Sequence, residues 1–212
     1  MSIAVISADS VSSATWSEKE RKKVVSVLTK YLKKIPDSQY EFFRGDSFQV
    51  VLKDPKIALN TALLLKTAVN SIEFSKSTDK EKHIQADIRL SIGIGHEHIK
   101  AKSLAHSDGT AYQLSGRRLD EMKKESRTLC ISSENEEVTK EFEVSLLFLE
   151  EVFKRWSIAS AEAVHYLLQG FTEVQLAKKV GVSQAAVNHR KKAASWHAIE
   201  ALLKRYEQVA LN

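Results

Sequence analysis

The chain of 212 residues is poor in the residues that cross-link, stiffen or loosen a backbone: one cysteine, two prolines and seven glycines. A lone thiol excludes an internal disulfide, and Cys130 lies in the apolar run Thr128 to Ile131, which reads as a buried strand carrying a core thiol rather than a nucleophile. No apolar run approaches the ~20 residues of a membrane-spanning helix. The N-terminus lacks the charged, apolar and small-residue succession of an export signal. A soluble, cytoplasmic protein is therefore expected. Internal repeats and low-complexity tracts are also missing, and the length suits one large core or two modest ones. Charge is not one-sided either: 32 Lys and Arg face 27 Asp and Glu, for a net +5 and a pI near 9.1. From Ser145 onward nine basic residues face six acidic ones. The excess thus collects in the shorter C-terminal part, which suits contact with phosphates.

What the chain does contain is a succession of well-punctuated elements. Ile3 to Ile6 is an apolar run ending at Ser7-Ala8-Asp9, a strand that delivers Asp9 to its C-terminal tip. Ser17 and Glu20 have capping-box spacing, and Val24, Val25, Leu28, Tyr31, Leu32 and Ile35 recur with helical period until Pro36. Tyr40 to Phe43 and Phe48 to Leu52 read as a hairpin around Arg44-Gly45-Asp46-Ser47, with Asp46 at the tip. Asp54-Pro55 opens a second helix with a broad apolar face from Ile57 to Ile72. Ser75 to Lys82 reads as a polar loop, and Ile88, Leu90, Ile92 and Ile94 alternate as a half-buried strand. The order β-α-β-β-α-β predicts an α+β fold with a ferredoxin-like antiparallel sheet and two helices on one face. A helix from about Gly109 to Lys124 and the Cys130 strand extend it. This gives a first domain over residues 1–132, an acidic linker over 133–144, and an all-α domain over 145–212.

Within that last region, Glu173 to Lys192 fits two short helices meeting at a sharp turn, a helix-turn-helix. Ala177 lets the helices cross closely, Gly181 accepts the positive φ of the turn, and Val182 and Val187 pack back on Leu176 and Val180. Ser183 caps the second helix. Gln184, Ala185, Asn188, His189 and Arg190 are then expected to face outward, where a major groove receives such side chains, with Ser183 and Lys191 beside them. An ordinary helical hairpin fits the same spacing. DNA is the partner that the motif and the local charge favour.

The first domain carries its own candidate chemistry. In the ferredoxin-like order the first strand lies beside the third, so Asp9 and Asp46 are expected to converge and could hold Mg²⁺ beside nucleotide phosphates, with Arg44 and Gly45 in the same hairpin. Aspartates at strand ends and hairpins also simply cap and turn the chain. Gln113 and Arg117 stand one helical turn apart, on a face able to reach a ribose or a phosphate. Ser115 and Gly116 are small enough for something to pack closely there. His96 and His98 flank Glu97, but no third ligand is identifiable nearby, and solvated strand-end histidines are the expectation.

Asp9 after a first strand, Gly45-Asp46-Ser-Phe48 in a hairpin, Arg89-Leu-Ser-Ile-Gly93-Ile-Gly95 in a strand and Gly109-x-x-Tyr-Gln113-x-x-x-Arg117 in a helix together resemble the class III nucleotidyl cyclase core. With the C-terminal helix pair, nearly the whole chain resembles the SatD family of small bacterial proteins. The resemblance implies metal binding at Asp9 and Asp46, a nucleotide pocket, transition-state assistance from Gln113 and Arg117 across an interface, and a homodimer. The sequence also departs from the pattern. Gln113 stands where cyclases carry asparagine, Phe42 replaces the base-selecting lysine or glutamate, and the late triphosphate-binding lysine has no match. The expected function is a DNA-binding regulator whose degenerate cyclase-like domain senses a nucleotide or other ligand, or dimerises. The alternatives are an active Mg²⁺-dependent nucleotidyl cyclase or transferase, and a protein-interaction module without DNA binding.

Overall fold

The computed structural model describes residues 2–43, 45–74 and 85–210. Arg44 and the whole of the expected polar loop, 75–82, lie outside the described residues. Five strands form one sheet: β1 (Ser2–Ser10), β2 (Ser38–Phe42), β3 (Phe48–Leu52), β4 (Ile88–His96) and β5 (Leu129–Ser133). They are ordered β2-β3-β1-β4-β5. The first four are antiparallel in the ferredoxin-like arrangement, and β5 adds in parallel beside β4.

Side-chain alternation divides the sheet. Ala4, Ile6 and Ala8 of β1 and Ile88, Leu90, Ile92 and Ile94 of β4 join the main core. Above that face lie α1 (Glu18–Leu32) and α2 (Ala58–Asn70). The Ser17–Glu20 capping box starts α1, and Asp54 caps the turn that carries Pro55 into α2. The opposite face presents Ile3 and Val5, which pack on α3 (Thr110–Glu125) through Ala111 and Tyr112.

The close neighbour implied by small residues in α3 is the sheet itself. Ser115 is fully buried and its hydroxyl lies 2.9 Å from that of Ser7. A Cβ on Gly93 would stand 2.2 Å from the Ala111 carbonyl oxygen, and one on Gly95 would stand 2.5 Å from Thr110 Oγ1. The Gly93-Ile-Gly95 strand thus lets a helix lie almost on the backbone. Gly116 has open space beside it.

Helices α4 (Glu136–Phe153), α5 (Ile158–Leu168), α6 (Glu173–Val180), α7 (Gln184–Ala193) and α8 (Trp196–Val209) complete the described chain. The stretch 133–144, expected as a linker, is instead the end of β5 and the first half of α4. Its acidic residues form the solvated side of a helix whose Val138 and Phe142 are buried. The helical region shares the main core with the sheet domain through Phe142, Leu146, Trp156, Val164, Ile199 and Tyr206. The Tyr206 hydroxyl donates to the Pro55 carbonyl, and Trp156 Nε1 donates to the Ala194 carbonyl. These aromatics are internal packing, as expected of large apolar side chains on helices. Ala163, Leu176, Ala177 and Val187 make a smaller core under α6 and α7, with Val180 and Val182 against it. Among the described residues no helix is long and apolar enough to cross a membrane.

Candidate functional site

Asp9, the penultimate residue of β1, lies on the face that carries α3, directly across from Arg89 of β4. Arg89 Nε donates to Oδ1 at 2.8 Å and its guanidinium reaches Oδ2 at 3.5 Å. Lys123 Nζ, from the last turns of α3, lies 3.2 Å from Oδ2. Asp9 is buried, so both of its oxygens are committed to protein cations in a place with little water. A divalent cation would have to displace two positive charges to reach this carboxylate. The residues around Asp9 therefore do not fit Mg²⁺.

Asp46 is placed differently. Gly45, at φ 73°, turns the hairpin, and both residues line a cleft of about 510 Å³ with Ser13, Glu18, Arg21 and Val25 beside α1. Asp46 Oδ2 is buried there without a hydrogen-bond partner, as is Ser10 Oγ at the end of β1. The expected convergence of Asp9 and Asp46 on one metal is not what their present partners reflect. The strands are neighbours, but Asp9 belongs to the α3 face and Asp46 to the cleft beside α1. Among the described residues no group of three or more His, Cys, Asp or Glu is arranged to hold a metal.

Gln113 and Arg117 share an exposed face of α3, and Arg117 Nη2 donates to Gln113 Oε1 at 3.4 Å. Gln113 Nε2 in turn donates to Asp108 Oδ1. That bond, with one from the Gly109 amide, holds the Asp108 carboxyl below the usual carboxylate range. His96 Nδ1 lies 2.7 Å from Glu134 Oε2, a pairing that needs no metal. Cys130 is buried in β5, and burial pushes its thiol up.

In the C-terminal helical region, Thr172 and Gln175 form a capping box at the start of α6. Gly181 ends that helix at φ 70°, and Ser183 caps α7 by accepting from the Ala186 amide. Ser183, Gln184, Ala185, Asn188 and His189 are exposed as expected. Arg190 and Lys191 are not free to face outward. Arg190 Nη1 pairs with Glu162 of α5 at 3.1 Å, and Lys191 pairs with Glu173 of α6. They stand three and four residues after buried Val187, so helical period turns them toward the neighbouring helices. Lys192 completes the exposed face instead, one turn beyond Asn188. Gln184, Ala185, Asn188, His189 and Lys192 line a shallow concavity of about 480 Å³ with Glu173. The i, i+4 spacing of Asn188 and Lys192 was the available signal for that residue.

No protein-family model matches the chain, and no curated protein matches it. Solved structures resemble part of it. The active GGEEF domain of a diguanylate cyclase from Vibrio cholerae is 18% identical over 62% of this chain and 83% of that chain, with a TM-score of 0.44. The GGDEF domain of DgcB from Caulobacter crescentus, in complex with c-di-GMP, is 11% identical over 62% of this chain and 77% of its own, at 0.44. A bacterial light-regulated adenylyl cyclase is 15% identical over 62% and 75%, at 0.45. The likeness is one of chain path alone.

Proposed function

We propose that the chain is a DNA-binding regulator of the SatD type, in which α6 and α7 form a helix-turn-helix and the sheet domain is a cyclase-like module without metal-dependent turnover. The observation that carries the reading is the face of α7. A capped helix, backed by its own small core, leaves Gln184, Asn188, His189 and Lys192 exposed together. Amide side chains and a lysine on one helix face supply base-edge and phosphate contacts. Fluorescence polarisation on DNA flanking the protein's own gene tests it. Binding should weaken with salt, Lys192→Ala should lower the salt slope by about one phosphate contact, and Asn188→Ala should relax sequence preference. Binding indifferent to salt and to both substitutions overturns the reading.

The orphaned Asp46 carboxylate oxygen supports a second role for the sheet domain, as a sensor of a polar ligand, such as a nucleotide, in the cleft beside α1. Calorimetric titration with nucleoside triphosphates, with and without Mg²⁺, tests it. Binding that Asp46→Asn weakens and Mg²⁺ does not require is the expected result. Mg²⁺-dependent turnover abolished by Asp9→Asn would instead establish the active cyclase and remove the regulator-only reading.

A further inference from the structure

The inner side of α4 is spent on the core through Val138, Phe142, Leu146 and Leu149. Its outer side carries Val144, Leu147 and Phe148, exposed at 61%, 43% and 72%. The three lie at i, i+3 and i+4 and so form one apolar patch. Around them the outer face repeats every seven residues. Glu137, Val144 and Glu151 occupy one position of the repeat, and Lys140, Leu147 and Lys154 the other. The apolar layer is central and the flanking layers are charged.

Those charges choose both the partner and its direction. If two copies of α4 paired in parallel, equivalent residues would meet, placing glutamate on glutamate and lysine on lysine in every flanking layer. Antiparallel pairing crosses the two positions instead. Val144 then meets Leu147 of the second copy, Lys140 meets Glu151, and Glu137 meets Lys154, each twice by symmetry. Lys140 now pairs with Glu136 and Glu137, and Lys154 with Glu151, along their own helix. All of these groups are exposed, and such surface pairs are worth little, so they exchange readily for pairs across a seam.

We propose that α4 is a homodimer seam, on which a second copy of this chain packs its own α4 antiparallel with Val144 against Leu147. The pairing does not depend on what α7 binds. A seam of one 18-residue helix is small beside the ~800 Å² per partner of a standard interface, so the association is weak and concentration-dependent.

Sedimentation velocity over rising micromolar concentration should show a monomer–dimer equilibrium in the full chain. Leu147→Glu should weaken it roughly tenfold or more by placing charge in the apolar layer. Glu151→Lys should also weaken it, and the double change Lys140→Glu with Glu151→Lys should restore it. Register is read by mild oxidation of two cysteine variants, with Cys130 buried in both. A mixture of Val144→Cys and Leu147→Cys should give more disulfide dimer than either variant alone. Thermal melting verifies that each variant is folded, and where a charged variant does not fold, the cysteine pair decides the matter. A chain that stays monomeric throughout, a dimer untouched by Leu147→Glu, or preferential Val144→Cys self-linkage overturns the proposal.

Discussion

Gly93 has room for a hydrogen and nothing larger, because α3 lies against it through the Ala111 carbonyl and the Ser115 amide. Gly93→Ala must push α3 away and break the Ser7–Ser115 contact. A loss of about 1–3 kcal/mol is expected in urea unfolding. His165 makes a different residue-scale prediction. It is buried between Tyr31 and Tyr166, with Nδ1 3.2 Å from Thr67 Oγ1. Burial, with Lys30 of α1 and Lys34 just beyond that helix nearby, pulls its pKa from 6.5 to about 4. The folded value lies below the unfolded one, so the unfolded chain takes up the proton first as pH falls. Stability from this site is therefore complete above pH 6.5 and drains between 6.5 and about 4. About 3 kcal/mol is at stake. Unfolding free energies across that window should fall less steeply in His165→Leu.

At the scale of elements, α6 and α7 show how little chain is needed when every end is capped. Ser183→Ala removes the acceptor for the Ala186 amide and should cost about 1 kcal/mol. Gly181→Ala forces a side chain into φ 70° and should cost about as much. Melting temperature reads both, and hydrogen exchange should localise the loosening to α6 and α7. These ends were legible in the sequence because caps and turns depend on residues within four positions of one another. The same short range misled over 133–144, where acidic residues suggested a linker. The apolar partners of Val138 and Phe142 lie elsewhere in the chain, so their burial could not be read locally.

On the scale of the whole molecule, the sheet domain and the helical region share one core, closed by Tyr206 against Phe142 and by its hydroxyl on the Pro55 carbonyl. Heat or urea should therefore unfold both in one transition, with coincident far-ultraviolet and tryptophan signals. Tyr206→Phe removes only the hydrogen bond and should cost about 1 kcal/mol. Tyr206→Ala opens a cavity at the junction and should cost about 3–5 kcal/mol, lowering both signals together. Two separated transitions in the native chain would show that the junction contributes less than its burial indicates.

By itself the sequence determined the strands, the caps at Ser17, Asp54 and Ser183, the turn at Gly181 and the ferredoxin-like order, since each follows from periodicity or from neighbours along the chain. It also placed Gln113 and Arg117 on one helix face, and Gln184, Asn188 and His189 on another. Only the tertiary structure decided what those residues meet. Strand order brings β1 beside β3, yet side-chain alternation commits Asp9 to the α3 face, where it pairs with Arg89 and Lys123, while Asp46 lines the cleft beside α1. Likewise Glu162 and Glu173 draw Arg190 and Lys191 inward and leave Lys192 on the open face. The pairing of a charge with a distant partner depends on through-space geometry, which no local spacing encodes.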